Sequence, residues 1–257
     1  MTGSTGEGFS ARATSAKRLS TVPTSGGRIP IIVHVGAIST LASEDLARHA
    51  ARAGAAAISS VPPIYWKFSD DQIAAYYSDL VQAAGIPMIV YNVTLAGLVS
   101  YEMLLRLGRI EGVEGIKYTS STVLTSSASK RSSGFRRLFR RHELAVSSPL
   151  SARRYHRPTY NVLTPLFLKL NAQMAAGDVI AARETQKIAN KLIFALLARG
   201  LMPSLKATLT LGGRVDGGIS RRPFFQLTEE QHEALKAEYR AIKASHGDLG
   251  LDFLKAL

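Results

Sequence analysis

Four apolar runs, spaced regularly between residues 29 and 119, constrain the fold of this 257-residue chain more than any other feature. Each run is short, continuous and rich in Ile, Val and Ala, which is typical of a strand buried on both faces. The runs lie at residues 29–35, 55–61, 86–92 and 113–119. Segments with helical periodicity separate them, and this alternation predicts an α/β fold of parallel strands joined by right-handed crossovers.

Capping residues mark where the intervening helices begin. Ser43 precedes an acidic turn and is predicted to be the N-cap of a helix that ends before Gly54. Ser69 and Gln72 form a capping box for the second helix, and a third, short helix begins at Ser100. Four strands in roughly ninety residues suit both a (β/α)8 barrel and a doubly wound sheet, so the spacing leaves both architectures open.

The chain from residue 159 onward is predicted to be helical. Three helices are predicted: one over residues 161–176, a long amphipathic helix that Asp178 caps and that ends at Gly200, and a last helix that opens with a capping box at Thr228 and ends at about Ser245. The expected organisation is one domain, with a partial barrel over residues 1–158 and a C-terminal helical part over residues 159–257.

Two segments hold nearly all of the formal net charge of +13. Residues 10–28 carry four Lys or Arg and no acid, and residues 122–158 carry nine against a single glutamate. The rest of the chain is nearly neutral, and no known nucleic-acid module surrounds the arginines, so nucleic acid is not an expected partner. Neither segment has an apolar stripe, and neither is expected to pack well against a sheet.

The absence of cysteine excludes disulfides, thiolate zinc sites and cysteine nucleophiles. The histidines show no ligand spacing, so no metal is expected. The amino terminus has no basic and apolar leader, and no apolar run is long enough to cross a bilayer. These features predict a cytoplasmic protein with no membrane partner.

Lys117 interrupts the fourth apolar run near its carboxyl end, where barrels place reactive groups. In an apolar pocket desolvation would lower the pKa of its amine, and a neutral amine attacks a carbonyl to form a Schiff base; the alternative is a lysine that extends to water. Tyr91 ends the preceding run and either passes protons or plugs the barrel rim. Ser4 and Thr5 lie in a glycine-rich turn whose donors could hold a carboxylate or a phosphate.

Seven short segments, taken in order and spacing, resemble the N-acetylneuraminate lyase and dihydrodipicolinate synthase family. They are residues 3–7, 34–36, 63–69, 91–92, 115–119, 159–161 and 222–224. Members of that family are (β/α)8 TIM barrels with extra C-terminal helices, usually tetrameric, and they use pyruvate through a lysine Schiff base. The resemblance therefore implies this fold, a homotetramer, a 2-keto acid substrate and no cofactor besides the covalent adduct of pyruvate with the lysine.

The resemblance also implies roles for individual residues. Lys117 is similar to the Schiff-base lysine and Tyr91 to the tyrosine that relays protons. Ser4 and Thr5 are similar to the hydroxyls that hold the pyruvyl carboxylate, and Tyr65 to a tyrosine that reaches the site of a neighbouring subunit.

Two further features indicate the lyase branch of the family. Thr119 matches a substrate-facing threonine of the lyases, and residues 91–97 lack the arginine with which synthases bind a second carboxylate. The implied reaction is the cleavage of N-acetylneuraminate to N-acetylmannosamine and pyruvate. The alternatives are a dihydrodipicolinate synthase-like or other 2-keto acid aldolase, and a non-catalytic remnant whose basic segments bind an acidic partner.

The chain departs from the family's pattern in three regions. The family's first strand, first helix and most of its second strand have no counterpart ahead of Met1, so an incomplete barrel is expected. Residues 10–28 stand in place of a helix, and residues 122–158 in place of the region of strands seven and eight, with similar length but foreign composition. Our hypothesis is that both segments are translated out of frame, which the nucleotide sequence tests, and we expect weak or no activity.

Overall fold

The structure is a computed structural model that describes residues 6–7, 28–119, 137–140, 154–155 and 158–257. For residues 119, 137–140 and 154–155 it describes the backbone alone. The described residues form two compact units, of which the first extends to residue 140 and includes residues 154–155, and the second begins at residue 158. The expectations for residues 10–27 lie outside the described residues.

The first unit is built on a six-stranded sheet in which every neighbouring pair is parallel. Its strands are β1 (Ile32–His34), β2 (Ala57–Ser60), β3 (Met88–Val93), β4 (Val113–Thr119), β5 (Arg137–Arg140) and β6 (Arg154–Tyr155). Their order across the sheet is their order along the chain. A doubly wound sheet reverses strand order at its switch point, whereas a barrel places each strand beside the one before it. The (β/α) barrel architecture is therefore confirmed, with six strands described, and the doubly wound alternative is wrong.

Helices on one face of the sheet enclose the core of the first unit. They are α1 (Thr40–Arg52), α2 (Asp70–Ala84) and α3 (Tyr101–Leu107), with a 3-10 turn at Thr94–Ala96. Side chains alternate between the two faces of each strand. On the helix side, Ile58, Val90 and Ile116 are fully buried in one cluster with Leu80 and Leu104. Hydrophobic burial of this face holds the strands in place and leaves their opposite face for other chemistry.

The start of α1 differs from the prediction. Ser39 is the N-cap, and its hydroxyl accepts a hydrogen bond from the Ala42 amide. Ser43 lies inside the helix, fully buried, and its hydroxyl accepts hydrogen bonds from the Ala37 amide and the Tyr76 phenol. The prediction that Ser43 is the N-cap is wrong. A serine before an acidic turn has the sequence of a cap, but the sequence does not show whether its hydroxyl bonds to the first turn of the helix or to a distant residue.

The capping box of α2 is confirmed. The Ser69 hydroxyl accepts from the Gln72 amide, and the Gln72 side chain accepts from the Ser69 amide. The helix ends at Gly85, whose φ of 63° is the left-handed conformation that glycine adopts at little cost.

The basic segment 122–158 contributes two strands that the sequence did not predict, while the expectation that its side chains would pack poorly against a sheet stays a prediction, because only the backbone of these strands is described. Strand β5 pairs with β4, where Phe139 lies opposite Lys117, and β6 pairs with β5. Parallel pairing is made by backbone amides and carbonyls, and strands of four and two residues are too short to show a side-chain period.

The second unit is helical throughout, as expected. Its helices are α4 (Tyr160–Ala175), α5 (Val179–Leu197), α6 (Leu201–Leu211), α7 (Glu229–His246) and α8 (Asp252–Lys255). The predicted caps at Asp178 and Thr228 are confirmed, whereas α6 had not been predicted. Within the described part of the chain no single helix has the length and apolarity to cross a membrane, and α5 with α6, bent by 111°, meets those criteria only as a pair.

Candidate active site at the strand ends

Two layers of side chains lie on the inner face of the sheet, defined here as the face that carries Ile32, Ala57 and Ile89. These three residues form a small apolar cluster separate from the helix-side core. Side chains two positions further along a strand lie on the same face. Two positions further along β1, β2 and β3, toward the carboxyl ends of the strands, lie His34, Ser59 and Tyr91, and Lys117 lies opposite Tyr91 in the pairing of β3 with β4. We call these four residues the strand-end cluster.

Lys117 and Tyr91 are neighbours in this cluster, as the sequence predicted from their positions at strand ends. They lie directly opposite each other in the pairing of β3 with β4. The Lys117 Nζ lies 3.7 Å from the centroid of the Tyr91 ring, over its face. Tyr91 is 7% exposed and Lys117 is partly buried, so the amine lies against a buried aromatic ring. An ammonium group gains cation–π attraction in this position.

His34 is a member of the cluster to which sequence analysis assigned no role. Its Nδ1 lies 3.3 Å from the Ser59 hydroxyl, and its ring stands perpendicular to the Tyr91 ring, with centroids 6.1 Å apart. Burial, with a smaller contribution from the charge of Lys117, lowers the pKa of His34 to about 3. The imidazole is therefore neutral near neutral pH. The sequence signal was its place at the end of an apolar run, which is weak for a lone histidine.

Gly36 and Asn92 support the cluster from neighbouring positions. A Cβ on Gly36 would lie 2.8 Å from the Ser60 hydroxyl and 2.9 Å from the His34 Nε2, so only glycine fits without displacing these groups. Asn92 points to the opposite face from Tyr91 and is fully buried. Its Oδ1 accepts a hydrogen bond from the Val99 amide and so ties the loop after β3 to the strand.

The remaining predicted site residues are not brought to the strand-end cluster. Tyr65 is 96% exposed in the loop after β2, and its φ of 85° is rare for an aromatic residue. Ser4 and Thr5 lie outside the described residues, although Glu7, two positions beyond Thr5, is buried. The backbone of Thr119 ends β4, and its side chain lies outside the description. The roles of all four remain predictions.

The side chains of the described residues indicate which chemistry the site can support. Among them, no group of three or more His, Asp or Glu side chains is arranged to hold a metal ion. Two cavities of about 340 and 410 Å³ lie within the second unit and contain no member of the strand-end cluster. The cluster offers an amine, a phenol, a neutral imidazole and a hydroxyl, a set suited to carbonyl addition and proton transfer.

A family model, curated relatives and solved structures are all similar to this chain. The model of the dihydrodipicolinate synthetase family matches residues 1–242. An N-acetylneuraminate lyase of Rhizobium meliloti is 34% identical over 222 residues, which cover 85% of this chain and 74% of the relative. An N-acetylneuraminate lyase 2 of Escherichia coli is 33% identical over 240 residues, covering 91% of this chain and 79% of the relative. A solved structure of a Ruminococcus gnavus sialic acid aldolase, a catalytic lysine mutant, superposes with a TM-score of 0.89 at 27% identity, covering 95% of this chain and 83% of that one.

Proposed function

This chain belongs to the dihydrodipicolinate synthetase family, and on that premise we propose that it cleaves N-acetylneuraminate to N-acetylmannosamine and pyruvate through a Schiff base on Lys117. The coarser assignment, a carbon–carbon lyase of the class I aldolase type, follows from the family and its named relatives. The substrate is proposed because the two relatives above are named N-acetylneuraminate lyases and the structural neighbour a sialic acid aldolase.

One observation supports the proposed chemistry above the others. The Lys117 Nζ lies 3.7 Å above the centre of the Tyr91 ring, on paired strands. A class I aldolase needs an amine that reaches a carbonyl carbon and an acid–base group beside it. Lys117 and Tyr91 supply both groups from two rigid strands, which fixes their separation better than loops would.

The first half of the reaction is addition of the amine. The unprotonated Nζ of Lys117 bonds to the keto carbon of the open-chain sugar acid, the carbonyl oxygen takes up a proton, and loss of water leaves a protonated Schiff base. We assign the proton transfers in this step to the Tyr91 phenol, because the strand pairing places Tyr91 directly opposite Lys117.

The second half is cleavage of the carbon–carbon bond. A base removes the proton of the hydroxyl on the far carbon of the bond that breaks, that carbon leaves as the aldehyde of N-acetylmannosamine, and the electron pair of the broken bond moves into the protonated Schiff base to give an enamine. Protonation of the enamine carbon and hydrolysis then release pyruvate and free Lys117. Ser4 and Thr5 would hold the carboxylate throughout, and Thr119 would face the sugar.

Tyr65 has a different place in the proposal. Its side chain is 96% exposed and its backbone is held at φ 85°, a costly conformation that persists where it serves a function. We propose that it reaches the site of a neighbouring subunit in a homotetramer. The cytoplasmic location and the absence of nucleic-acid and membrane partners remain predictions.

Trapping of the Schiff base tests the proposal directly. The chain is incubated with pyruvate and borohydride, digested and analysed by peptide mass, and the reduced adduct is expected on Lys117. Lys117→Arg keeps the positive charge but should abolish the adduct, whereas Lys169→Arg, on the exposed side of α4, should leave it unchanged. An unmodified Lys117 in the wild-type digest overturns the enzymatic proposal. Trapping needs no turnover, so it also serves if cleavage is weak.

A substrate panel separates the proposed substrate from other 2-keto acids. Pyruvate release is measured with N-acetylneuraminate and with shorter 2-keto sugar acids. A preference for N-acetylneuraminate supports the lyase assignment. A preference for another acid, with the adduct still on Lys117, overturns the substrate while retaining the chemistry.

A further inference from the structure

His34 is held on two sides at the end of β1. On one side its Nδ1 lies 3.3 Å from the Ser59 hydroxyl, which the pairing of β1 with β2 places directly opposite. On the other side its Nε2 faces the backbone of Gly36, where even a methyl group would approach it to 2.9 Å. A ring confined in this way has few orientations open to it, so its position is a fixed feature of the strand ends.

This fixed ring meets the Tyr91 ring at a right angle. The two ring planes are 86° apart with centroids separated by 6.1 Å, a T-shaped contact that aromatic pairs favour. Tyr91 in turn carries the Lys117 Nζ over its own ring. The three side chains therefore form a row across β1, β3 and β4, in which His34 touches Tyr91 and Tyr91 touches Lys117.

The imidazole of His34 is neutral, which is compatible with a role in positioning a neighbouring side chain. Burial and the nearby ammonium group disfavour its protonation, so it does not compete as a cation with Lys117. A neutral imidazole can exchange a hydrogen bond with a hydroxyl and pack against a ring without supplying a net charge to the site.

We propose that His34 is a positioning residue which, anchored by Ser59, fixes the orientation of the Tyr91 ring and thereby the place of its phenol relative to the Lys117 amine. The inference deepens the proposed function and rests on it for its kinetic consequence. Misplacing a catalytic group by about 1 Å can cost about 100-fold in rate. Loss of the His34 side chain should therefore slow the steps that need Tyr91, without removing the amine that forms the adduct.

Three variants separate the contribution of the His34 hydrogen bond from that of its ring. His34→Ala removes both the hydrogen bond and the ring, His34→Asn keeps a donor and acceptor near Ser59, and His34→Phe keeps a ring against Tyr91. We expect His34→Ala to lower the rate of pyruvate trapping on Lys117 by about 10- to 100-fold, with the pyruvate concentration at half-maximal rate changed less than about twofold. His34→Asn and His34→Phe should each recover part of the rate. His246→Ala, exposed at the end of α7, is the matched control and should leave it unchanged.

A double-mutant cycle with Tyr91→Phe tests whether His34 acts through Tyr91. If it does, His34→Ala should slow Tyr91→Phe less than about twofold further, because the phenol that it positions is already absent. Multiplication of the two single effects overturns the proposal, since it would show that His34 acts on the amine or the substrate independently.

The crystal structure of His34→Asn, and of His34→Ala where it folds, gives a readout that does not depend on activity. We expect the Tyr91 ring to leave its perpendicular orientation in His34→Ala and the Lys117 Nζ to lie further than 3.7 Å from its centroid. In His34→Asn, which lacks the imidazole ring but keeps a partner for Ser59, we expect a smaller displacement of the Tyr91 ring. An unmoved Tyr91 ring in His34→Ala, or in His34→Asn where only that variant folds, overturns the positioning role. If the wild-type chain forms no adduct, the proposed function fails, and this geometric test still decides the role of His34.

Discussion

Replacement of Tyr76 by phenylalanine tests the packing that supports the strand ends. The Tyr76 side chain is buried, and its phenol donates a hydrogen bond to the Ser43 hydroxyl at 3.2 Å and lies 2.7 Å from the Ser60 hydroxyl. It thus joins α1 and α2 to the end of β2, one residue beyond Ser59 of the strand-end cluster. Burial raises the pKa of Tyr76, so the phenol stays protonated and both hydrogen bonds persist at ordinary pH.

The cost of Tyr76→Phe follows from these partners. Phenylalanine keeps the ring and its packing, and neither serine is left unpaired, because Ser43 still accepts from the Ala37 amide and the Ser60 hydroxyl turns its one proton to the Val61 carbonyl. The change therefore removes both hydrogen bonds of the phenol and restores one, and a hydrogen bond between neutral groups is worth roughly 1 kcal/mol net. We expect the free energy of unfolding to fall by about 1 kcal/mol, which is about a fivefold change in the ratio of folded to unfolded chain.

Urea unfolding followed by circular dichroism measures this difference. Tyr65→Phe is the matched control, because Tyr65 is 96% exposed and its hydroxyl should contribute less than about 0.5 kcal/mol. The double variant Ser43→Ala with Tyr76→Phe should be less destabilised than the sum of its parts, since the two changes remove the same hydrogen bond. A Tyr76→Phe chain as stable as Tyr65→Phe would refute the reasoning, because the buried hydroxyls would then contribute nothing.

Three further predictions concern the first unit. The pKa of His34 is about 3 in the folded chain and about 6.5 in the unfolded chain, so the unfolded chain takes up the proton first and the free energy of unfolding falls as the pH drops from about 6.5 toward 3. In His34→Asn the urea concentration at the midpoint of unfolding should depend less on pH over this range. Gly112→Ala should lower the free energy of unfolding by about 1–3 kcal/mol, because the φ of Gly112 is 85° and the new Cβ would lie 2.5 Å from Val81 Cγ1. The double variant Gly112→Ala with Val81→Ala should lose less stability than the sum of the losses in the two single variants, because the shorter side chain relieves the clash. Leu80→Ala, fully buried, should cost about 2–5 kcal/mol by thermal or urea unfolding, against less than about 0.5 for Leu95→Ala at 86% exposure.

Local patterns predicted most of the elements in the first unit. Strand β4 extends over Val113–Thr119, as the apolar run indicated, and α2 begins at the capping box that its sequence spells out. Both signals are short-range, since a cap or an apolar run is read from neighbours along the chain. The pairing of Lys117 with Tyr91 was also accessible, because parallel strands bring their carboxyl ends to one edge.

Predictions failed where a residue's partner lies far along the chain. Ser43 looks like a cap but bonds to Tyr76, 33 residues away, and the contact of His34 with Ser59 joins residues 25 apart. The pairing of β5 with β4 was missed for the same reason, because backbone hydrogen bonds between distant segments leave no periodic trace in composition.

The amino-acid sequence by itself determined strands β1 to β4 and the helices between them, the chemical identity of the reactive amine and phenol, and the edge of the sheet at which they meet. These follow from periodicity, capping and chain direction, which act over a few residues. Only the tertiary structure decided that the amine lies over the ring face of Tyr91 and that His34 and Ser59 complete the row beside it. The physical reason is that side-chain orientation depends on strand register and on non-local packing, and both are set only when the whole sheet assembles.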